Sequence, residues 1–262
     1  MSARRASLSM RHSTGRVSAL VPRRATMAGM IQRSTGSIFL IACLALAPSA
    51  EAQVKETRRL HDAAELLREL AAGTEGIPRG LLQRAECVAV LPSVKKAALG
   101  IGGRAGKGAI SCRTERGQGE WGPPLMVSIG GLSFGLQIGG QAIDLALLIM
   151  NPRGLDGLLK SKLTLGADAA VAAGPVGRSA EAATDLRLRA EILSYSRSRG
   201  VFAGLSLEGA VLKPDKDANW AVYGEPVEPR RLLLTPGQHI PPAAVAFIDT
   251  LREFAPARAA AE

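Results

Sequence analysis

Apolar residues recur three and four positions apart through TRRLHDAAELLRELAAG, residues 57–73. Leu60, Ala63, Ala64, Leu67, Leu70 and Ala71 form one stripe, and Arg58, Arg59, Glu65, Arg68 and Glu69 fall elsewhere around the wheel. That period predicts an amphipathic helix closed by Gly73. The stripe either packs on a core or lies in a membrane surface between basic flanks. GIPRGLLQRA, residues 76–85, predicts a short helix with Pro78 in its first turn. From Cys87 to about Met150 the pattern changes to short apolar stretches divided by turn residues, and residues 100–140 hold 13 glycines. A Gly inside a helix costs about 1 kcal/mol relative to Ala, so long helices are excluded there. CVAVLP, KKAALGIGG, GKGAISCR, PLMVSIGG, SFGLQIGG and AIDLALLIM read as strands whose close spacing favours antiparallel hairpins. Glycine within them implies bends, bulges or close backbone approach.

Beyond Met150 the patterns mix. NPRGLDGLLKSKL predicts a helix with Asn151 as cap and Pro152 at its first position. ADAAVAAGPVG reads as a buried strand, and two further strands flank residues 198–200. In the first of these, Leu186, Leu188, Ala190 and Ile192 alternate with Arg187, Arg189, Glu191 and Leu193, which predicts one wet face. DKDANWAVYG predicts a short helix, a Pro-rich link follows, and residues 241–255 form a terminal amphipathic helix. The sum is a single α+β domain. Its Gly-rich antiparallel sheet is curved and barrel-like, with flanking helices and an amphipathic helix at each end of the mature chain.

The start of the chain is a different material. Residues 1–36 carry seven Arg and no acid, and an apolar run of about ten residues then ends in Ala50-Glu51-Ala52. This is the order of a secretory signal, with cleavage expected before Gln53. Residues 1–52 are thus read as basic extension plus signal, and 53–262 as the domain, with its core at 57–224. The alternative is a lipobox, Leu40-Ile41-Ala42-Cys43, which would lipidate Cys43 and give a membrane-anchored lipoprotein. Removal of 1–52 leaves 26 basic against 22 acidic residues, a net charge of +4 in place of +10. The basic pI is therefore largely a property of the leader and does not argue for nucleic acid. The eight aromatic residues after position 52 are scattered, not interleaved with basic ones as a base-stacking platform needs.

One charged segment survives this correction. Between Cys87 and Thr114 there is no Asp or Glu, but there are Lys95, Lys96, Arg104, Lys107 and Arg113. Its centre, LGIGGRAGKGAIS, tests as a phosphate loop. The GK of Gly106-Lys107 lacks the preceding Gly and the following Ser or Thr of a P-loop. Residues 100–105 fit the dinucleotide fingerprint, but no helix is predicted after them to hold a pyrophosphate. The loop is read as a turn at 103–106 joining two strands into a basic β-hairpin. Such a hairpin is either an edge kept soluble by its charge or a site for anionic headgroups.

IPRGLLQRAECVAVLPSVKKAALGIGGRAGKGAISCR, TLGADAAVAAGPVGRSAEAATD and SYSRSRGVFAGLSLEGAVL resemble, in order, the signatures of the SYLF-domain family across about residues 57–224. The resemblance implies lipid binding, with a phosphoinositide preference in eukaryotic members, some of which also bind actin. Bacterial relatives are exported proteins or lipoproteins. The leader sets this chain beside the exported members, and the 262 residues show no Src-homology or FYVE module, so no actin partner is expected.

Catalytic candidates are sparse. After the leader only His61 and His239 remain, and neither sits in a metal-ligand spacing, so no metal and no cofactor are expected. Gly131-Leu132-Ser133-Phe134-Gly135 fits the G-x-S-x-G nucleophile elbow, which would need a strand turning into a helix. Asp144, Asp168 and Asp185 sit among apolar residues and would need partners if buried; converging in a cavity, they could act as acid, base or cation ligands. Cys87 and Cys112 are compatible with a disulfide in an oxidising compartment or with two buried thiols. The expectation is a non-enzymatic, lipid-binding protein of the periplasm or cell envelope. It contacts anionic phospholipid through Lys95, Lys96, Arg104, Lys107 and Arg113, joined by Arg58 and Arg59 of the first helix. The alternatives are an envelope scaffold without lipid ligand and an enzyme built on the carboxylates or Ser133.

Overall fold

The computed structural model describes residues 50–73, 76–176, 190–198, 201–202 and 207–258, without the side chains of 98–101, 116, 133–139 and 201–202. Cys43, Asp185 and the basic extension therefore lie outside the described residues. Helix α1 spans Ala50–Ala72, and its first residues are those of the expected cleavage site. Its stripe is buried as the period requires: Leu60, Leu67 and Leu70 are fully enclosed, each worth about 1.5–3 kcal/mol in apolar burial. That stripe packs on the core and is not available to a membrane. Helix α2, Arg79–Arg84, starts directly after Pro78.

The centre of the fold is a two-stranded ribbon. Strand β1 runs unbroken from Cys87 to Cys112 and strand β2 from Leu125 to Ile149. They pair antiparallel from Cys87 opposite Ile149 to Ile110 opposite Leu125. The turn expected at 103–106 does not exist. The strands join instead through residues 113–124, which include the short helix α3, Thr114–Gly117. The glycines serve close approach. The ribbon is bent back until the two ends of β1 meet: Arg113 N donates to Glu86 O (2.7 Å), and Cys87 and Cys112 form a disulfide. A Cβ on Gly106 would lie 2.6 Å from Val94 Cγ2, and one on Gly108 only 2.1 Å from Val90 O. Only glycine fits such a crossing.

After β2 come helix α4 (Arg153–Lys160), β3 (Leu163–Thr164), β4 (Val171–Ala173), β5 (Ile192–Ser198), β6 (Val201–Phe202) and β7 (Val211–Pro214). The sheet order is β3-β7-β2-β5-β4, with β1 also on β2 and β6 on β5. The sheet is mixed, because β4 pairs parallel with β5. It is curled, and both faces are covered where β1 begins. Val88 and Val90 join α1, α2 and the terminal helix in one core, whereas Cys87, Ala89 and Leu91 face a second core completed by Leu155, Leu158, Leu212 and Leu233. Residues 186–189 of the alternation expected over 186–193 lie outside the described residues; within β5 residues 192–196 are buried, Ile192 in one core and Leu193 in the other.

Helix α5, Lys216–Tyr223, is capped by Asp215 and ends at Gly224, whose φ of 72° is the left-handed conformation glycine tolerates. Its Asn219 docks it on β2, accepting from Met126 N (2.9 Å) and donating to Met126 O (2.8 Å). The expected Pro-rich link contains helix α6, Pro229–Leu234, capped by Glu228. Helix α7, Val245–Phe254, packs against α1. No helix among the described residues is long and apolar enough to cross a membrane.

Candidate functional site

Alternation along β1 sorts its cations. At Leu91/Val94 the pairing register shifts by a bulge, where Ser93 takes a φ of 52° and its amide donates to Asp144 Oδ1 (3.0 Å). A bulge inserts one residue and exchanges the two faces of the strand beyond it. Val94 accordingly joins the core that holds Leu91. Lys95 and Lys107 therefore face α1, while Lys96 and Arg104 point to the opposite face.

Between α1 and this face lies an open groove of about 540 Å³. Lys55, Arg58, Arg59 and Asp62 line it from α1, Pro92, Ser93, Lys95, Ala105, Gly106 and Lys107 from β1, and Ser128 and Ile129 from β2. Five cations thus share one cavity with one carboxylate in its wall. Arg59 is engaged by Glu56, three residues and about one turn before it on the helix. Lys107 Nζ lies 2.6 Å from Asp215 Oδ2. Lys55, Arg58 and Lys95 make no ion pair with any described residue. The groove is thus electropositive and offers cationic donors from two sides, which suits an anionic group entering from solvent.

Of the expected lipid-binding residues, Arg58, Arg59, Lys95 and Lys107 come together. Lys96, Arg104 and Arg113 do not line the groove. Arg104 is buried, and burial lowers the pKa of its guanidinium. Arg113 is 1% exposed, so the surface role expected of it fails. It lies 4.4 Å over the Trp121 ring, and both side chains donate to Ala255 O at 2.8 Å, clamping the end of α7. Burial, with Arg258 nearby adding and Glu120 opposing, pulls its pKa down to about 10. The alternation rule with a turn at 103–106 could not place these residues, because the bulge and the bend are long-range features. Lys55 was missed because the periodic stretch begins at residue 57.

The other candidates disperse. Ser133 sits inside β2, which continues to Ile149, so no elbow turns into a helix there. Asp144 holds the bulge and stands 3.5 Å from Arg197, which also pairs with Glu69. Asp168 is exposed; Thr164 N donates to it at 2.6 Å, and that bond is the main cause of its lowered pKa. Neither carboxylate lines the groove. His61 gathers with Asp62 and Glu65 closely enough to suggest a cation site, a grouping that spacing alone did not signal. All three are solvent-exposed, and Glu65 already approaches His61 at 3.8 Å.

Bent ribbon, helix-lined groove and two-sided core together define a single α+β domain that presents a cationic cleft. The chain belongs to the Ysc84/SYLF-domain family. Residues 130–254 match the family model Ysc84, described as Las17-binding protein actin regulator. An SH3 domain-containing protein of Schizosaccharomyces pombe, PJ696.02, is 36% identical over 180 residues, 68% of this chain and 41% of that protein. Human SH3 domain-containing YSC84-like protein 1 is 36% identical over 168 residues, 62% of this chain and 48% of the relative. Protein YSC84 of Saccharomyces cerevisiae is 32% identical over 182 residues, 68% and 38% respectively. The chain spans less than half the length of these relatives.

Proposed function

We propose that this protein binds anionic lipid headgroups at a membrane surface, without catalysis, through the groove between α1 and β1. The observation that carries the reading is the convergence of Lys55, Arg58, Arg59, Lys95 and Lys107, from two separate stretches of sequence, on one open cavity. Headgroup phosphates are singly or multiply charged and solvent-accessible, and basic groups near such a surface are worth about 1 kcal/mol each. The basic leader and the Cys87–Cys112 bond support an exported, envelope-associated setting, since such bonds persist in oxidising compartments.

The test is flotation of the domain with vesicles of phosphatidylcholine alone or mixed with phosphatidylglycerol. Binding is expected only to the anionic vesicles and weakens steeply with salt, because exposed charges are screened over about 8 Å at physiological ionic strength. Replacing Lys55, Arg58, Lys95 and Lys107 together with Gln should lower affinity by two to three orders of magnitude, at about 1 kcal/mol per group. Lys96→Gln, on the opposite face, should change little. A folded quadruple variant that floats like wild type refutes the reading. The family description raises actin as a second partner, and cosedimentation with filamentous actin tests it on the same samples.

A further inference from the structure

The groove cations are not equivalent. Lys55, Arg58 and Lys95 face solvent without an ion pair to any described residue, whereas Lys107 is held by Asp215 at 2.6 Å. Asp215 is not a casual surface partner. Its backbone N donates to Met126 O (2.9 Å), its carbonyl accepts from Asn219 Nδ2 (2.8 Å), and its other carboxylate oxygen caps α5 at Ala218 N. The carboxylate is therefore fixed, and it is only 9% exposed, while the Lys107 side chain is 48% exposed. An anion that takes Lys107 must draw the ammonium off a carboxylate that cannot follow, and must lie near that carboxylate's remaining charge.

We infer that Asp215 is a built-in competitor for Lys107, setting the density of negative charge a surface must present before the groove engages it. This rests on the headgroup-binding reading above. A sparsely charged surface meets three free cations, with Arg59 and Lys107 already neutralised by Glu56 and Asp215. A densely charged one draws Lys107 off Asp215 and recruits it as well. Asp215 is thus an affinity-setting residue.

The substitution that isolates this is Asp215→Asn. Asn serves as a helix cap as well as Asp, so α5 keeps its start while the competing charge is removed. Wild type, Asp215→Asn, Lys107→Gln and the double variant are titrated with vesicles of rising phosphatidylglycerol content, with melting curves as the check on folding. Asp215→Asn should bind about fivefold tighter than wild type, the equivalent of one basic group at roughly 1 kcal/mol, and should half-saturate at a lower phosphatidylglycerol fraction. In the Lys107→Gln background the same substitution should give no such gain. Equal or weaker binding by a folded Asp215→Asn, while wild type binds, overturns the inference and leaves the headgroup reading standing. So does an equal gain in both backgrounds, which would reflect net charge alone. If wild type ignores anionic vesicles at low salt, the headgroup reading falls and takes this inference with it.

Discussion

Gly108→Ala tests the bend on which the groove depends. The added methyl would sit 2.1 Å from Val90 O and 2.7 Å from Leu91 Cα, where ordinary contact begins at 3.4 Å. Both obstacles are backbone, so one arm of β1 must retreat by more than an ångström. The arms are tied together beside the clash by the Cys87–Cys112 bond and by Arg113 N to Glu86 O. Retreat therefore strains a link or breaks one. Overpacking of a tight core costs about 1–3 kcal/mol where side chains can adjust, and this site stands at or above the top of that range. About 3 kcal/mol is a large share of a domain's usual stability. At 2–4 °C per kcal/mol for a domain of this size, it should lower the melting temperature by roughly 6–12 °C. Gly103→Ala is the control. Its nearest neighbour is Gly131 O at 3.9 Å, so relief of backbone entropy should leave it neutral or stabilised by up to about 1 kcal/mol. Urea titrations followed by circular dichroism read both. Coincident curves for wild type and Gly108→Ala would mean that the arms of β1 do not cross at this position.

Reducing the Cys87–Cys112 bond, or replacing both cysteines with Ala, should cost about 3.5 kcal/mol by the loop-entropy relation for a separation of 25 residues; an unchanged urea midpoint with and without reductant would refute it. Tyr195 is 2% exposed, its hydroxyl has no hydrogen-bond partner among the described residues, and burial pushes its pKa up, as it does for Tyr223. The unfolded chain ionises these phenols near pH 10 while the fold keeps them neutral, so their contribution is full below pH 10 and is lost as pH rises above it. Arg113 opposes this, because its lowered folded pKa adds stability from about pH 10 upward. Tyr195→Phe should shed the orphaned hydroxyl, gain about 1 kcal/mol at neutral pH and flatten the alkaline fall in melting temperature; a loss of stability would reveal a partner for the hydroxyl. Asp144→Ala leaves the exposed Ser93 N to water in place of its carboxylate acceptor and should cost about 0.5–1.5 kcal/mol, read by the same melts.

What the sequence made legible was local. Leu60, Leu67 and Leu70 announce α1 because one helical period needs no distant information. Asp215 and Gly224 bracket α5 for the same reason. The glycines of β1 were legible in kind but not in use. The pattern puts Gly106 at the end of a turn and Gly108 in the strand after it, yet neither takes a positive φ, and what they accommodate is Val94 and Val90, more than ten residues away. The faces of Lys95 and Lys96 were hidden in the same way, since one bulge at Pro92–Ser93 exchanges them and the carboxylate bonded to it, Asp144, is on the other strand. Helix α6 was masked by its prolines, although Glu228 before Pro229 is a regular start. Arg113 lay in an acid-free run and read as exposed charge. Its burial follows from Trp121, eight residues on, and from Ala255, 142 residues away and outside any local window.

The groove depends on the bend more than on the charge count. A straight strand would set Lys95 and Lys107 about 40 Å apart, at 3.3 Å per residue, too far for one headgroup to meet both. The fold brings them to one cavity by doubling the ribbon back, and the tight crossings at Gly106 and Gly108 lie in the returning arm, beside Lys107 itself. α1 then adds Lys55 and Arg58 because its leucine stripe fixes which side of the helix faces the sheet. Charge, glycine and helix period are therefore parts of one device. A chain with the same cations but a side chain at Gly108 would keep its net charge and lose the groove. That separates a shaped site from a generally basic surface: vesicle binding by Gly108→Ala should fall in step with its bend, whereas a surface acting through charge alone would bind as before.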